Sequence, residues 1–196
     1  MLASCTPLAV VTHRVDPNPL TAPAGRYALD PHHWSIVFDV DHFHYSRFVM
    51  RFNQANAQLD VGAGGIDNAH VTVTVDAESV DTNVALLNKL VAGKDIFDAE
   101  HYPKISFDAT GLLRTGERGG RVTGQLTIRG TTRPIVLDVT YNGSGVNPLT
   151  KAETLGFSAT GTVKRSAFGL TTWFPAVGDE LRVSIQAEFV KPPSQG

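Results

Sequence analysis

Histidine is the residue type in this chain most suited to metal binding or acid–base chemistry. Three of the seven histidines, His33, His42 and His44, lie close together in the sequence. On one strand, His42 and His44 would share a face at a separation of about 6.6 Å, which could support metal ligation. No carboxylate or cysteine stands at a spacing that would complete the site, so we predict no metal. We expect these imidazoles to bond buried backbone groups or a ligand's polar head.

The acidic and hydroxyl residues do not form a recognisable catalytic arrangement. Asp30, Asp95 and Asp98 have no partner pattern of the kind that hydrolysis needs, and aspartate is well suited to turns and caps. No serine lies in a Gly-x-Ser-x-Gly context. We therefore predict no catalytic residue and no enzymatic activity.

Two arginines flank a short glycine- and threonine-containing segment, Arg129-Gly130-Thr131-Thr132-Arg133. One interpretation is that Arg129 and Arg133 contact an anionic head group such as pyrophosphate. The other is a turn at the rim of the fold, whose arginines are solvated or paired with acids. The sequence predicts a tight turn over Thr131-Thr132-Arg133-Pro134 in either case.

Composition excludes several classes of partner. The formal net charge is -2 and the pI is near 6.4, so nothing attracts nucleic acid or anionic lipid over long range. Hydrophobic residues make up 42% of the chain, enough for a packed core. No stretch approaches the ~20 apolar residues that a membrane-spanning helix needs.

The single cysteine, Cys5, rules out an intramolecular disulfide. It ends the sequence Leu2-Ala3-Ser4-Cys5, which resembles the site where bacterial lipoproteins are cleaved and lipidated. Lipidation at Cys5 would be the protein's one direct contact with a membrane. Residues 1–25, which contain four prolines between positions 7 and 23, are predicted to be a linker, a flexible arm or an irregular cover over one end of the fold.

Period-two hydrophobic patterns predict an all-β domain over residues 26–191, followed by a tail at 192–196. Ile36, Phe38, Val40 and His42 fall on one face of a strand, as is typical of a half-buried sheet. Ile135, Leu137, Val139 and Tyr141 do the same in a later strand. The predicted strands cover about 35–42, 47–61, 70–75, 104–113, 121–129, 135–141, 153–165 and 181–191.

One helical pattern interrupts the strands near residues 82–92. Val84, Leu87 and Val91 recur at helical spacing, Thr82 or Asn83 is the predicted cap, and Gly93 is the predicted end. Eight antiparallel strands can close into a single lipocalin-like barrel, whose interior is filled by side chains or holds one small ligand. We predict this barrel with one short helix.

Four blocks of sequence stand in a recognisable order: 27–31 with His33, Phe38, His42, Ser46 and Phe52; 95–100 with Tyr102, Pro103 and Phe107; 124–130 with Thr132 and Pro134; and Arg165, Phe168-Gly169 and 178–180. Together they resemble the YceI-like family of bacterial polyisoprenoid-binding proteins over about residues 27–191. The resemblance implies an exported, periplasmic or secreted protein. It also implies a lipocalin-like barrel that holds a long isoprenoid in an apolar tunnel.

The resemblance implies that particular side chains, most of them apolar and in the predicted strands, contact the ligand. Those in the tunnel or at its mouth are Phe38, Val40, His42, Phe48, Phe52, Phe107, Leu126, Phe157, Phe168 and Trp173. Trp34, His44 and Met50 are bulkier than the residues common in the family and bear on the size of the tunnel. The ligand would be a polyprenyl or quinone-type lipid, and no other cofactor is expected.

Two other functions stay open at this point. One is an enzyme of quinone or redox metabolism that acts on such a lipid, with His42 as its candidate group. The other is an interaction module whose barrel is filled by side chains. The oligomeric state, including a homodimer, is also open.

Overall fold

The computed structural model describes residues 8–192, so the predicted lipidation site at Cys5 lies outside the described residues. No helix within this range is long and apolar enough to cross a membrane. The helices are α1 (Leu8–Val11) and α2 (Ala85–Ala92), with 3₁₀ turns at Pro19–Thr21, Ala77–Ser79 and Arg165–Phe168. The strands are β1 (Gly25–His42), β2 (Ser46–Phe52), β3 (Ala55–Gly62), β4 (Gly65–Asp76), β5 (Val80–Asp81), β6 (Lys104–Thr110), β7 (Leu113–Arg114), β8 (Gly119–Ile128), β9 (Thr131–Val146), β10 (Glu153–Lys164) and β11 (Val177–Val190).

The predicted eight-stranded antiparallel barrel is confirmed. Its order is β1-β3-β4-β6-β8-β9-β10-β11, and it closes because β11 pairs with β1. Strand β2 pairs with the second half of β1, and β3 pairs with its first residues. The run predicted over 47–61 is therefore a bent strand, interrupted at Asn53 and Gln54.

The two inward faces predicted from period-two patterns are confirmed. Phe38 and Val40 are buried in β1, and Leu137 and Tyr141 are buried in β9. Val136, between two inward-facing residues of β9, is exposed. Burying one face of each strand supplies most of the driving force for closing the barrel, at roughly 25 cal/mol per Å² of apolar surface.

Helix α2 lies where the sequence predicts it, but its predicted cap is wrong. Val84 occupies the N-cap position, and its side chain makes no capping hydrogen bond. Thr82 instead donates its backbone N–H and its hydroxyl to Oδ1 of Asn88, both at 2.7 Å, which fastens the approach to the first turn. Gly93 ends the helix as predicted.

The turn predicted at Thr131–Pro134 is also wrong, because those residues belong to β9. Arg129 and Gly130 form a two-residue turn, with φ of 48° and 70°, and Ile128 pairs with Thr131 across it. Two successive residues with positive φ match the twist of an antiparallel hairpin, and glycine adopts this conformation without strain.

Two core clusters divide the interior between the ends of the barrel. We call the end that carries α2 the helix end; its core includes Phe38, Phe52, Val91 and Phe97. The other end, which we call the arm end, has a core that includes Tyr27 and Ala22 of the N-terminal arm. Asp16 of the arm exchanges two backbone hydrogen bonds with Ser144 of β9, at 2.7 and 2.9 Å.

Candidate ligand-binding cavities

Three apolar cavities follow one another along the inside of the barrel within the described residues. The arm-end cavity has a volume of about 150 Å³, the central cavity about 130 Å³ and the mouth cavity, at the helix end, about 130 Å³. Each exceeds the roughly 10–15 Å³ that one water needs, but a stable water also needs about two to four polar partners. The interior is therefore not filled by side chains and offers little to water.

Polar side chains on the cavity walls are concentrated at the helix end. Gln186 is the polar side chain at the arm-end cavity and Ser106 is the one at the central cavity. His42, Arg165 and Thr172 all border the mouth cavity. A ligand with one polar group and a long apolar chain matches this distribution, with its polar group at the mouth.

Phenylalanine rings separate the cavities. Phe107 borders both the arm-end and the central cavity, whereas Phe38 and Phe97 border both the central and the mouth cavity. The Phe52 ring stacks on Phe38 with centroids 5.1 Å apart and contacts Phe97 at 5.8 Å. Aliphatic side chains also border both the arm-end and the central cavity: Ile36, Val73, Leu137 and Ile185. Neighbouring cavities therefore share walls along the barrel and form one series.

Phe107 is held in place by a close approach to β8. A Cβ at Gly124 would lie 2.3 Å from Cζ of Phe107 and 2.8 Å from Cβ of Ala109, so only glycine fits here without a shift. The glycine leaves room for the ring against the barrel wall. It therefore sets how far Phe107 projects into the interior.

The predicted lining residues, with one exception, border a cavity. Phe157 borders the arm-end cavity, Phe107 the arm-end and central cavities, and Phe52 and Leu126 the central cavity. Phe38 borders the central and mouth cavities; the others at the mouth are Val40, His42, Phe48 and Trp173. Phe168 borders none of the three, because its 3₁₀ turn places it in the packed core, where it is 3% exposed.

The bulky residues singled out from the sequence have different surroundings. Trp34 borders the arm-end cavity and Met50 the mouth cavity. The prediction that His44 shares a strand face with His42 is wrong, because β1 ends at His42 and His44 lies in the following turn at φ 59°. Its side chain is 87% exposed and its Nδ1 is 2.9 Å from Oδ2 of Asp41.

His42 sits among aromatic rings at the mouth. Its centroid is 4.7 Å from that of Phe43 and 5.8 Å from that of Phe48. Within residues 8–192, the histidines in ion pairs with carboxylates are His33, His44, His70 and His101, and His42 is not one of them. Among the described residues, His42 therefore has packing partners but no carboxylate partner of the kind that general acid–base catalysis uses.

Arg129 and Arg133 lie at the helix end, but neither borders the three cavities. Arg129 is in the hairpin turn, whose Gly130 packs against the Tyr102 ring. The exposed Arg133 donates to the carbonyl of Thr132 at 2.9 Å. A head group held at the mouth would have to extend past the rim to meet them.

Arg165, which sequence reasoning did not place in the site, holds the loop that carries Trp173. It is 7% exposed, and its guanidinium donates to the carbonyls of Leu170, Thr172, Val177 and Gly178 at 2.6–2.9 Å. Burial lowers the pKa of Arg165 from its ordinary value. The sequence did offer one signal for Arg165 and for Phe97, because each lies in a block that resembles the family. The role of Arg165 could not be predicted from it, because the carbonyls that Arg165 binds become neighbours only in the folded loop.

A polar cluster beneath the N-terminal arm fastens the arm to the barrel at the arm end. The Tyr27 hydroxyl donates its hydrogen to the Glu153 carboxylate, and the carbonyl oxygen of Pro23 lies 2.9 Å from the same hydroxyl oxygen. Lys191 lies 3.3 Å from the same carboxylate and 5.6 Å from the centre of the Tyr27 ring. Burial, followed by the bond to Glu153, raises the pKa of Tyr27 well above its ordinary value. The hydroxyl stays protonated and holds the arm against the barrel.

Comparisons with known proteins agree with this architecture. The family model of the YceI-like domain matches residues 27–189. A UPF0312 protein of Vibrio cholerae is 32% identical over 167 residues, which cover 84% of this chain and 88% of that protein. The crystal structure of Burkholderia cenocepacia BcnA is similar with a TM-score of 0.72 and 27% identity, covering 82% of this chain and 98% of the other.

A more distant structural neighbour shares the fold. A polyisoprenoid binding domain from Saccharophagus degradans, implicated in plant cell wall breakdown, has a TM-score of 0.66 at 13% identity. The match covers 85% of this chain and 98% of that domain.

Proposed function

Because the chain belongs to the YceI-like family, we propose that it binds and carries a long isoprenoid lipid inside its barrel. The observation that carries the proposal is the series of three apolar cavities whose neighbours share phenylalanine walls. A prenyl chain has no polar handles, so its receptor needs a deep cavity with little water rather than placed hydrogen bonds. The name of the Saccharophagus domain, as a polyisoprenoid binder, supports the same ligand class.

The distribution of polarity supports one orientation of the lipid. The polar end would lie at the mouth cavity beside His42 and Thr172, and the chain would extend past Phe107 towards the arm end. Burial contributes about 0.8 kcal/mol for each CH₂ equivalent. Ordering a flexible chain offsets much of that gain, so nanomolar to micromolar affinity is expected. A polyprenyl and a quinone-type lipid both have the required shape.

We propose that the role is transport or sequestration rather than catalysis. His42 is packed by Phe43 and Phe48 and is not ion-paired with a carboxylate of the described residues, which disfavours an acid–base role. If the protein were an enzyme, replacing His42 would abolish turnover of a prenyl quinone and leave its binding intact. Under our proposal, His42→Gln changes affinity alone.

We also propose that the protein acts outside the cytoplasm, in the periplasm or after secretion. The family resemblance and the sequence Leu2-Ala3-Ser4-Cys5 support this location. Labelling of bacteria with an alkyne fatty acid tests the lipid anchor. Incorporation by the wild-type chain but not by Cys5→Ser supports lipidation, and a lack of incorporation by both contradicts it.

Native mass spectrometry of protein purified from a bacterial host tests lipid binding. We expect an excess mass of several hundred daltons that organic solvent releases and that fragmentation identifies as a prenyl lipid. The same spectrum reports whether the protein is a homodimer. A protein that is empty, and that also takes up no added polyprenyl or quinone lipid, would contradict the proposal.

A further inference from the structure

A bulge in β1 brings a group of metal-ligand side chains together at the seam of the barrel. Leu29 pairs with Phe189 and Trp34 with Ala187, so residues 30–33 of β1 stand opposite Glu188 alone on β11. These four residues are Asp30-Pro31-His32-His33. A bulge re-aims side chains that an unbroken strand would point elsewhere. Here it directs an aspartate and a histidine towards a glutamate from the opposite end of the sequence.

The geometry of these side chains suits a common ion. Nδ1 of His33 lies 3.1 Å from Oδ2 of Asp30, and ligand atoms of Asp30, His33 and Glu188 all lie within 4.8 Å of one another. Two ligands at 2.0–2.1 Å from a tetrahedral ion are about 3.4 Å apart, so the first pair is already at ligand spacing. Small side-chain rotations would bring Glu188 into the same sphere.

Two similar pairs elsewhere show what is particular to the bulge. His44 with Asp41 and His101 with Asp98 have the same three-residue spacing, at 2.9 and 2.8 Å. At the bulge, the carboxylate of Glu188 lies close enough to Asp30 and His33 to make a group of three ligands. Within residues 8–192, neither of the other two pairs has such a third ligand. Burial alone does not set the bulge apart, since the side chains of Asp30 and Asp98 are both 14% exposed.

The group lies at an open groove that could supply further ligands. His13 of the arm and His32 of the bulge line this groove with His33 and Glu188, and its volume is about 650 Å³. Imidazole and carboxylate together are typical ligands of Zn²⁺ and of neighbouring divalent transition metals. Water or one of the additional histidines can complete the coordination.

We propose that Asp30, His33 and Glu188 bind a divalent transition-metal ion, with Zn²⁺ as the reference ion, and that the ion clamps β1 to β11. The site lies outside the lipid cavities and does not depend on the proposed function. It is close to them, because Trp34 and Ala187 border both the groove and the arm-end cavity. The ion would reinforce the seam where the bulge interrupts regular pairing.

Calorimetric titration of the untagged, chelator-treated protein with Zn²⁺ alone tests the proposal. The Cys5→Ser chain is used so that the thiol cannot supply a competing ligand. We expect one equivalent to bind, and thermal unfolding to shift upwards with added Zn²⁺ because the ion binds the folded state. Glu188→Gln and His33→Ala should each weaken binding by at least about tenfold, given the size of effects at metal sites.

His44→Ala and His101→Ala are the matched controls, because each removes a histidine of the same spacing that lacks the third carboxylate. They should leave the affinity for Zn²⁺ unchanged. Circular dichroism checks that Glu188→Gln, which preserves side-chain size, still folds. Stoichiometric binding that survives Glu188→Gln would overturn the assignment, as would the absence of one-equivalent binding to the parent chain.

Discussion

At the arm end the largest side chains are fully enclosed, whereas at the helix end aromatic side chains lie in water. Tyr27 and Leu155 of the arm end are 0% exposed. Tyr45 of the helix end is 91% exposed, and the exposed aromatics of the described residues all belong to this end: Phe43, Tyr45, Tyr102, Trp173 and Phe174. The arm end also exposes aliphatic side chains, among them Leu20 and Leu149, so the difference between the ends concerns aromatic rings. Aromatic rings clustered beside a cavity mark a site of interaction.

This difference indicates that the two ends of the barrel have different roles. Hydrogen bonds of Tyr27, Glu153 and Lys191 hold the N-terminal arm against the arm end. Arg165 at the helix end fixes a loop but leaves Trp173 at the rim of the mouth cavity. We infer that the arm end is built for stability and that the lipid enters at the helix end.

The largest effect is expected for Arg165→Ala at the helix end. The change leaves four carbonyls of the Trp173 loop without their charged donor, which should lower the free energy of unfolding by about 3 kcal/mol or more. Denaturant titration measures this loss, and binding of a prenyl lipid should fall with it. The exposed neighbour Lys164 provides the control, since Lys164→Ala should stay within about 0.5 kcal/mol of wild type. Equal stability of the two variants would contradict the role given to Arg165.

Gly124→Ala should act on binding inside the barrel. The added methyl displaces Phe107, which borders the central and arm-end cavities. We expect affinity for long prenyl chains to fall at least about tenfold, a difference of about 1.4 kcal/mol, while short chains bind as before. Titration with prenyl lipids of graded length measures the effect.

Gly116→Ala is the matched control for Gly124→Ala, because a Cβ at Gly116 meets no atom within 4 Å. It should leave every affinity unchanged. Adding Phe107→Leu to Gly124→Ala should restore binding of the long chains. A uniform loss across all chain lengths would show that Gly124 does not control the depth of the tunnel.

Tyr27→Phe tests the arm end. It removes the hydroxyl that donates to Glu153 and contacts the carbonyl of Pro23, which should cost about 1–3 kcal/mol of unfolding free energy. Lipid affinity measured on the folded protein should not change. Tyr45→Phe at the exposed helix end is the control and should cost less than about 0.5 kcal/mol. If Tyr27→Phe weakened lipid binding without lowering stability, the division of tasks between the ends would be wrong.

The smallest expected effect is the pH dependence of the stability that His101 contributes. The hydrogen bond and the charge of Asp98 raise the pKa of His101 above its ordinary value. Stability from this pair is therefore fully present below the unfolded-state pKa and is lost as pH rises through the folded-state pKa. The difference in stability between wild type and His101→Ala should be larger at pH 5.5 than at pH 8.5. Denaturant titrations at the two pH values measure it.

The arm end gives the control for the pH experiment. Tyr27 keeps its proton through this range because its pKa is raised from an already alkaline value. The effect of Tyr27→Phe should therefore be the same at pH 5.5 and pH 8.5. A His101→Ala effect that did not diminish with rising pH would contradict the assignment of the pair.

Local patterns in the sequence were enough to predict much of the barrel. The alternation of Phe38 and Val40 with Asp39 and Asp41 predicted a strand, and Gly93 predicted the end of α2. The turn at Arg129 and Gly130 was misplaced because consecutive residues with positive φ leave only a weak signal outside glycine. Whether the interior was open also could not be predicted, because inward apolar residues suit a packed core and a tunnel equally well.

The remaining features depend on pairing between distant parts of the chain. Glu188 meets His33 because the last strand closes on the first one, across a bulge that no local pattern reveals. Arg165 could be given no role from the sequence, because its partners are backbone carbonyls of a folded loop. Phe97 lies in a family-like block, but its place between two cavities follows from packing against Phe52.

The two tryptophans of the chain allow the most direct test, because Trp34 borders the arm-end cavity and Trp173 the mouth cavity. The measurement is fluorescence quenching in Trp34→Phe and Trp173→Phe by long prenyl lipids that carry a quencher at the polar head or at the far end of the chain. We expect the head-labelled lipid to quench Trp173 and the tail-labelled lipid to quench Trp34, each saturably. Quenching of neither tryptophan, or of Trp34 by the head label alone, would contradict a lipid that enters at the helix end and extends through the barrel.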